Sequence, residues 1–236
     1  MEDSRKITFA VTNYNRYEML FRSFSKILDD DRVGEICIVD DNSHPEVWSK
    51  LSDRVDSTNH PKIKMYRNHE NLGVYRNKHR AVSLSSFEWV LVADSDNIYG
   101  VDYLDRVFEK IWDKDVIFNP VYALPVFKFD EFSGIMLTKE NVASYSNLRW
   151  FETGLNLMNY FCNRDSYLEV WDASHEPIGS DSIYQNYNWL RSGKKIYFMP
   201  NLTYEHTVHS GSHYVQNAAV STPMVFDVVE KLKLLK

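Results

Sequence analysis

Trp89-Val90-Leu91-Val92-Ala93-Asp94-Ser95-Asp96 is an apolar run that stops abruptly at two carboxylates separated by one residue. A short, bounded, β-prone run of this kind reads as a buried strand. A buried parallel strand that ends in acids brings them to the carboxyl edge of a sheet, where open α/β folds bind their ligands. Asp94 and Asp96 then share a turn and lie close enough together to hold a divalent cation. Acids at strand ends are commonly plain turn formers. What favours a site here is that two other strand candidates also end in polar clusters.

Ile7 to Val11 is the first of these and runs into Thr12-Asn13-Tyr14-Asn15-Arg16. The spacing predicts a helix from Tyr17 to Leu28, broken by Asp29-Asp30-Asp31 and Gly34. The strand Ile36 to Val39 ends in Asp40-Asp41-Asn42-Ser43. A helix is expected from Pro45, a favourable first-turn residue, then a strand from Ile63 to Tyr66. Residues 74–86 read as a helix rich in basic side chains, among them Arg76, Lys78, His79 and Arg80. After the central strand, Val101, Leu104, Val107, Phe108, Ile111 and Trp112 mark an amphipathic helix. The alternation β-α-β-α-β-α-β-α implies a parallel, doubly wound sheet.

The second half is less regular. Val116 to Phe129 reads as extended, Lys139 to Ser146 as a short helix and Leu155 to Tyr167 as a longer one. Asp181 opens a helix that stops at Gly193. A strand is expected from Ile196 to Met199 and a terminal helix from Pro223 to Lys236.

The composition sets limits on function. The chain has 236 residues, 44% of them apolar, which is enough for one sizeable core. A formal net charge of -6 argues against a general nucleic-acid binder. Aromatic residues make up 14%, which suits sugar or base stacking and a bulky core alike. The two cysteines, Cys37 and Cys162, suggest neither a disulfide framework nor a zinc site, so a reducing compartment is the simpler expectation. Met1 to Lys6 precede no apolar signal region, and no stretch approaches the ~20 apolar residues of a membrane helix. A cytoplasmic protein without integral membrane contact is expected.

In a parallel sheet the three polar strand ends converge on one edge, the default place for a nucleotide. A nucleotide site must neutralise phosphate. The chain contains neither a GxGxxG nor a GxxxxGK[ST] motif, and its eight glycines are scattered. The remaining option is a metal between protein carboxylates and phosphate oxygens, assisted by basic side chains. Asp94 or Asp96 would hold it. Arg76 and Lys78 either supply positive charge or belong to a solvated helix face.

Residues 7–112 resemble the family 2 inverting glycosyltransferases of the GT-A fold. The resemblance rests on Val11-Thr12-Asn13-Tyr14-Asn15-Arg16, Ile38-Val39-Asp40-Asp41-Asn42-Ser43, Asn71-Leu72-Gly73 and Ala93-Asp94-Ser95-Asp96-Asn97, in that order and spacing. It continues more weakly to about residue 215. It implies a Rossmann-like, mostly parallel α/β sheet flanked by helices, in a single domain with a smaller acceptor-side subregion. Residues 1–115 would form the donor-binding half, and 116–236 the acceptor-binding and catalytic half.

The resemblance also implies a nucleoside-diphosphate-sugar donor, most simply a UDP-hexose. Thr12 matches the position lining the nucleotide, with Asn13, Tyr14 and Arg16 in the same loop. Asp41, with Asp40 beside it, matches the acid that binds uracil. Lys78 matches the basic position near uracil and phosphates, with Arg76 close in sequence. Asp94, followed by Ser95, matches the acid near ribose and sugar, and Asp96 the metal-ligating acid. Family members carry Glu-Asp at a helix start, with the Asp as catalytic base; here the pair is Ser180-Asp181, and Asp181 also suits an N-cap. His209-Ser210-Gly211-Ser212 matches a segment whose histidine approaches the metal or diphosphate, and His206 competes for that role. An imidazole ligand favours Mn2+ over Mg2+.

The function expected from this is metal-dependent transfer of a sugar, with inversion, to a hydroxyl of a glycan or protein. Leu148 to Gly154, Asn156 and Asn159 are candidates for the acceptor groove. A sugar nucleotidyltransferase is the first alternative, but it would carry a glycine-rich loop after the first strand. A non-catalytic nucleotide-sugar-binding module is the second.

Overall fold

The structure is a computed structural model and describes residues 5–157, 159–174, 176–209 and 211–236, apart from the side chains of His213 and Tyr214. The N-terminal residues 1–4, Ser210 of the histidine-rich segment and the side chain of His213 therefore lie outside the described residues. The first half runs β1 (Ile7–Asn13), α1 (Tyr17–Phe24), β2 (Val33–Asp40), α2 (Pro45–Thr58), β3 (Ile63–Arg67), α3 (Val74–Leu84), β4 (Trp89–Asp94) and α4 (Val101–Phe108). The second half runs β5 (Val116–Leu124), β6 (Phe127–Lys128), β7 (Met136–Leu137), α5 (Phe151–Asn156), β8 (Phe161–Asn163), α6 (Arg164–Glu169), α7 (Asp181–Arg191), β9 (Lys195–Glu205), α8 (His213–Gln216) and α9 (Ala218–Lys233).

One sheet carries the order β3-β2-β1-β4-β8-β5-β9-β7, with β6 on β5. β1, β2, β3 and β4 are mutually parallel, and β5 is parallel to β9. β8 runs antiparallel to both β4 and β5 and joins the two halves. Every residue of β1 is buried, as expected of a parallel strand covered on both faces. The register sets Thr12 opposite Asp94 and Asn13 opposite Asp40, so the three polar strand ends are neighbours on one edge. Among the described residues no helix is long and apolar enough to cross a membrane.

The expected helix from Leu155 to Tyr167 is instead α5, β8 and α6. A short apolar run does not distinguish helix from buried strand by periodicity, and here the gap between β4 and β5 decides. Phe161 fills that gap and stacks on Trp89 with ring centroids 5.4 Å apart. The Asn163 side chain then accepts from the Ser166 amide at 3.0 Å and starts α6 as its N-cap. The expected helix over Lys139 to Ser146 shortens to a 3-10 turn at Val142–Tyr145. α1 ends at Phe24 rather than Leu28. α9 begins at Ala218 and holds Pro223 inside it rather than at its start.

Glu35 ties β2 to its neighbours at the opposite edge from the polar strand ends. Its buried carboxylate accepts from Thr8 Oγ1 at 2.7 Å, the Ser86 amide at 2.7 Å and Lys64 Nζ at 2.8 Å. Burial raises its pKa, but Lys64, Thr8 and Ser86 together outweigh this and leave it below the ordinary glutamate value. A carboxylate depressed in the folded state stabilises the fold above its unfolded pKa and loses that contribution as pH falls through its folded pKa. We expect Glu35→Gln to flatten the decline of thermal stability between about pH 5 and pH 3. Melting curves across that range check it, and a slope equal to wild type would refute it.

Candidate active site

Thr12, Asn13, Tyr14, Arg16, Asp41, Lys78, Asp94, Asp96, Asp181 and His206 all line one cavity of about 550 Å3. They come from the ends of β1, β2 and β4, from α3, from the start of α7 and from the segment after β9. Lys78 is the charge at its centre. Its buried ammonium donates to Asp94 Oδ1 at 2.9 Å and to Asp181 Oδ2 at 3.0 Å. Burial opposes that charge, but Asp181 and Asp94 outweigh it and raise the pKa above an ordinary lysine. Asp181 is the first residue of α7 rather than its N-cap; Ser180 holds that position without a capping bond.

Asp96 lies at a second cationic point. Its Oδ2 accepts from Arg16 Nη1 at 2.9 Å and lies 3.1 Å from His209 Nε2. Arg16 Nη2 also donates to the Gly211 carbonyl at 3.1 Å. The Gly211 amide donates to His209 Nδ1 at 3.1 Å, so a neutral His209 carries its proton on Nε2, facing Asp96. A Cβ at Gly211 would lie 3.0 Å from His209 Nδ1, so a side chain there would press on the imidazole. His206 lies instead between Phe127 and Tyr204. Burial lowers its pKa against the pull of Asp96 and Asp94.

Asp41 is held by the loop before α3. Its carboxylate accepts from the amides of Leu72 at 2.8 Å and Gly73 at 3.0 Å and from Asn68 Nδ2 at 2.7 Å. Burial nevertheless raises its pKa.

Four residues grouped with these by sequence do not line the cavity. His209 is one, and reaches the site only through Asp96. Asp40 is fully buried and builds the turn beneath the cavity, accepting from Asn13 Nδ2 at 2.8 Å and the Ser43 amide at 2.9 Å. Ser95 is also fully buried, and its hydroxyl has no partner among the described residues. Arg76 pairs with Glu176 beside a separate, smaller cavity. The reason is helical: residues two apart do not share a face, so Lys78 pointing inward turns Arg76 outward.

Trp150, Glu152, Thr153 and Asn156 of the proposed acceptor segment line the cavity, but Asn159 does not. Asn159 is a buried hub under the acidic turn. Its Oδ1 accepts from the Asp94 amide at 3.3 Å, from Asn97 Nδ2 at 3.2 Å and from the Tyr99 hydroxyl. Its Nδ2 donates to Tyr204 Oη at 3.2 Å, and its carbonyl accepts from Tyr103 Oη at 3.2 Å. No spacing in the sequence announces this role, because all its partners lie 45 to 65 residues away in the chain. Trp150 adopts a left-handed backbone at φ 67°, which is uncommon for a bulky residue and concentrates at functional sites.

Among the described residues no group of three or more metal-ligating side chains forms. Asp96 and His209 provide two donors 3.1 Å apart, which fits an open site whose other positions go to phosphate oxygens and water. The charge balance agrees. Five carboxylates (Asp41, Asp94, Asp96, Glu152 and Asp181) but only Arg16 and Lys78 as permanent cations line the cavity among the described residues. A diphosphate entering it needs a further positive charge.

The polar strand ends thus open into one cavity at the carboxyl edge of a mostly parallel sheet. The chain belongs to glycosyl transferase family 2, whose profile matches residues 8–164. Asp181 and His209 lie beyond the matched residues. The mannosyltransferase PcManGT from Pyrobaculum calidifontis, solved in complex with GDP-Man and Mn2+, is similar in structure with a TM-score of 0.68 at 13% identity. That similarity covers 98% of this chain and 65% of PcManGT. S. aureus TarS 1–349, solved alone, with UDP and with UDP-GlcNAc, gives a TM-score of 0.66 at 14% identity, covering 96% of this chain and 65% of that one. At such identities the likeness is one of fold, and this chain spans about two thirds of the length of each. No curated protein matches the chain.

The hub makes a specific demand. Asn159→Leu keeps the branched shape, with somewhat more bulk, but strips the Asp94 amide, Asn97, Tyr99 and Tyr204 of their partner. We expect a loss of about 2–4 kcal/mol, read as a lower midpoint in urea. A variant within about 0.5 kcal/mol of wild type would show that the hub is not needed.

Proposed function

We propose that this chain transfers a sugar from a nucleoside diphosphate, most simply UDP-hexose, to a hydroxyl of a glycan or protein acceptor, with inversion and with a divalent metal, Mn2+ or Mg2+. The observation that carries the reading is the Asp94–Lys78–Asp181 chain. Asp94 and Asp181 lie on either side of one buried cation, in the cavity where the strand ends meet, which supports reading them as the donor-side acid and the base. Family membership and the metal- and nucleotide-bearing neighbours support it. Buried free thiols at Cys37 and Cys162 support a reducing, cytoplasmic setting.

In this reading Thr12, Asn13 and Tyr14 receive the nucleoside, and Asp41 takes the base from the end of β2. Lys78 and Arg16 face the diphosphate, and Asp94 faces the ribose and sugar. Asp181 accepts the proton of the acceptor hydroxyl, whose oxygen bonds to the anomeric carbon as the bond to the diphosphate breaks on the opposite side. Lys78 keeps the Asp181 carboxylate in place, one oxygen held and the group still on the cavity wall. A metal held by Asp96 and His209 supplies charge neutralisation for the departing diphosphate. Trp150, Glu152, Thr153 and Asn156 line the side left for the acceptor.

Binding comes first as a test. UDP with Mn2+ should raise the melting temperature more than either alone, by mass action on the folded state. A larger rise with GDP and Mn2+ would replace uridine by guanosine, and no rise with any nucleotide would reject the donor site. Turnover separates enzyme from binding module. Asp181→Asn should retain the UDP–Mn2+ shift and lose roughly 10²–10⁴-fold in rate with a competent acceptor, as for removal of a general base. Unchanged turnover would remove Asp181 from the base role.

A further inference from the structure

Asp96 already has a cation. The Arg16 guanidinium sits 2.9 Å from its Oδ2, on the same oxygen that faces His209 Nε2. The contact is not a loose surface pair: the Asp96 side chain is 9% exposed, and that of Arg16 22%. Backbone on both sides fixes it. Arg16 precedes α1, in a turn where the Asn15 amide donates to Ser43 Oγ at 2.8 Å. The second arm of its fork holds the Gly211 carbonyl at 3.1 Å. Arg16 thus ties the acidic turn to the segment that carries His209.

A guanidinium and a divalent metal on one carboxylate repel each other, so Arg16 on Asp96 Oδ2 weakens metal binding there. His209 opposes a bare metal as well. With Nδ1 accepting from Gly211, its Nε2 carries the proton, whereas a metal needs that nitrogen free. We propose that Arg16 is the resident counter-cation of Asp96, that it excludes the divalent metal from the donor-free protein, and that the metal enters with the nucleotide's diphosphate. The diphosphate supplies the anion to which Arg16 transfers, and it contributes oxygens to the metal. Binding of donor and metal is thereby coupled. The inference rests on the reading of Asp96 and His209 as the metal site.

The test measures Mn2+ binding directly, from the paramagnetic resonance signal of free Mn2+, on wild type, Arg16→Gln, Arg16→Met and Asp96→Asn. Mn2+ is added alone and then with saturating UDP or GDP. Without nucleotide, both Arg16 variants should bind Mn2+ roughly tenfold or more tightly than wild type. With nucleotide that advantage should shrink, because Arg16 has left Asp96 in wild type too. Asp96→Asn should lose the site under both conditions. Equal Mn2+ affinity in wild type and the Arg16 variants, with dependence on Asp96 intact, overturns the counter-cation and leaves the metal site standing. Undiminished Mn2+ binding by Asp96→Asn overturns the metal site and the inference with it. Two substitutions of different shape guard against one failing to fold.

Discussion

A buried ammonium between two carboxylates is the constraint on which the site depends. Lys78 is almost wholly enclosed, and an enclosed charge is tolerable only when paired and hydrogen-bonded. Asp94 at the end of β4 and Asp181 at the start of α7 provide the pairing. The three residues come from elements far apart in the chain, so the ion pair fixes α7 against the parallel half of the sheet. Losing one carboxylate would leave the ammonium under-compensated, which is costlier than never having buried it. Neighbouring residues of α3 share the task. Tyr75 Oη donates to Gln185 Oε1 of α7 at 3.2 Å, and Asn77 Nδ2 donates to the Val39 carbonyl of β2 at 3.2 Å. Tyr75, Asn77 and Lys78 thus tie α3 in different directions, to α7, β2 and β4, and the helix cannot rotate without breaking these ties.

The acidic turn itself is held from beneath and from beside. Beneath it, Asn159 meets the Asp94 amide, Asn97 and three tyrosine hydroxyls. Beside it, Ile98 and Glu205 exchange backbone bonds at 2.9 Å, and the Thr207 amide donates to Asn97 Oδ1 at 3.1 Å. The residues that follow β9 are therefore registered to the turn by backbone geometry before any histidine is considered. This is why a histidine more than a hundred residues later arrives within 3.1 Å of Asp96. A carboxylate positioned by main-chain and buried amide contacts need not reorganise when a charged ligand arrives, which is the condition for electrostatic preorganisation.

The parallel half of the fold is legible in the sequence because its strands are continuous apolar runs that end sharply in polar residues. Once β1, β2 and β4 are placed side by side, the adjacency of Thr12, Asp94, Asn13 and Asp40 is a matter of register. What the sequence does not carry is direction at single residues. Asp40 and Asp41 are equivalent as letters, yet one is sealed under the turn and the other lines the cavity. Arg76 and Lys78 are both cations on one helix, and only the phase of that helix separates them. Asn159 is one asparagine among several until Asp94, Tyr99 and Tyr204 surround it. β8 hides because three residues cannot express a period. Its identity comes from the space between β4 and β5, a tertiary fact.

The cavity lining combines two kinds of residue. Asp94, Asp96, Lys78 and Arg16 are charged. Phe127, Trp150, Val208, Val215 and Val225 are apolar, with Glu152, Thr153 and Asn156 as polar interruptions. An apolar wall with few polar points orders water poorly and rewards a ligand that covers it. Sugar rings combine apolar faces with hydroxyl edges, which suits a tryptophan beside a carboxylate and an amide. Asp181 connects to the charged residues through Lys78, and Gly179 and Ser182 on either side of it line the cavity too. Under the proposed function, a base there would meet a hydroxyl only once an acceptor had displaced the solvent around it. The strained backbone of Trp150 then has a physical rationale: it fixes a large ring on the cavity wall, and a conformation costing of order 1–3 kcal/mol persists because the Phe127 and Arg149 contacts hold the ring in place.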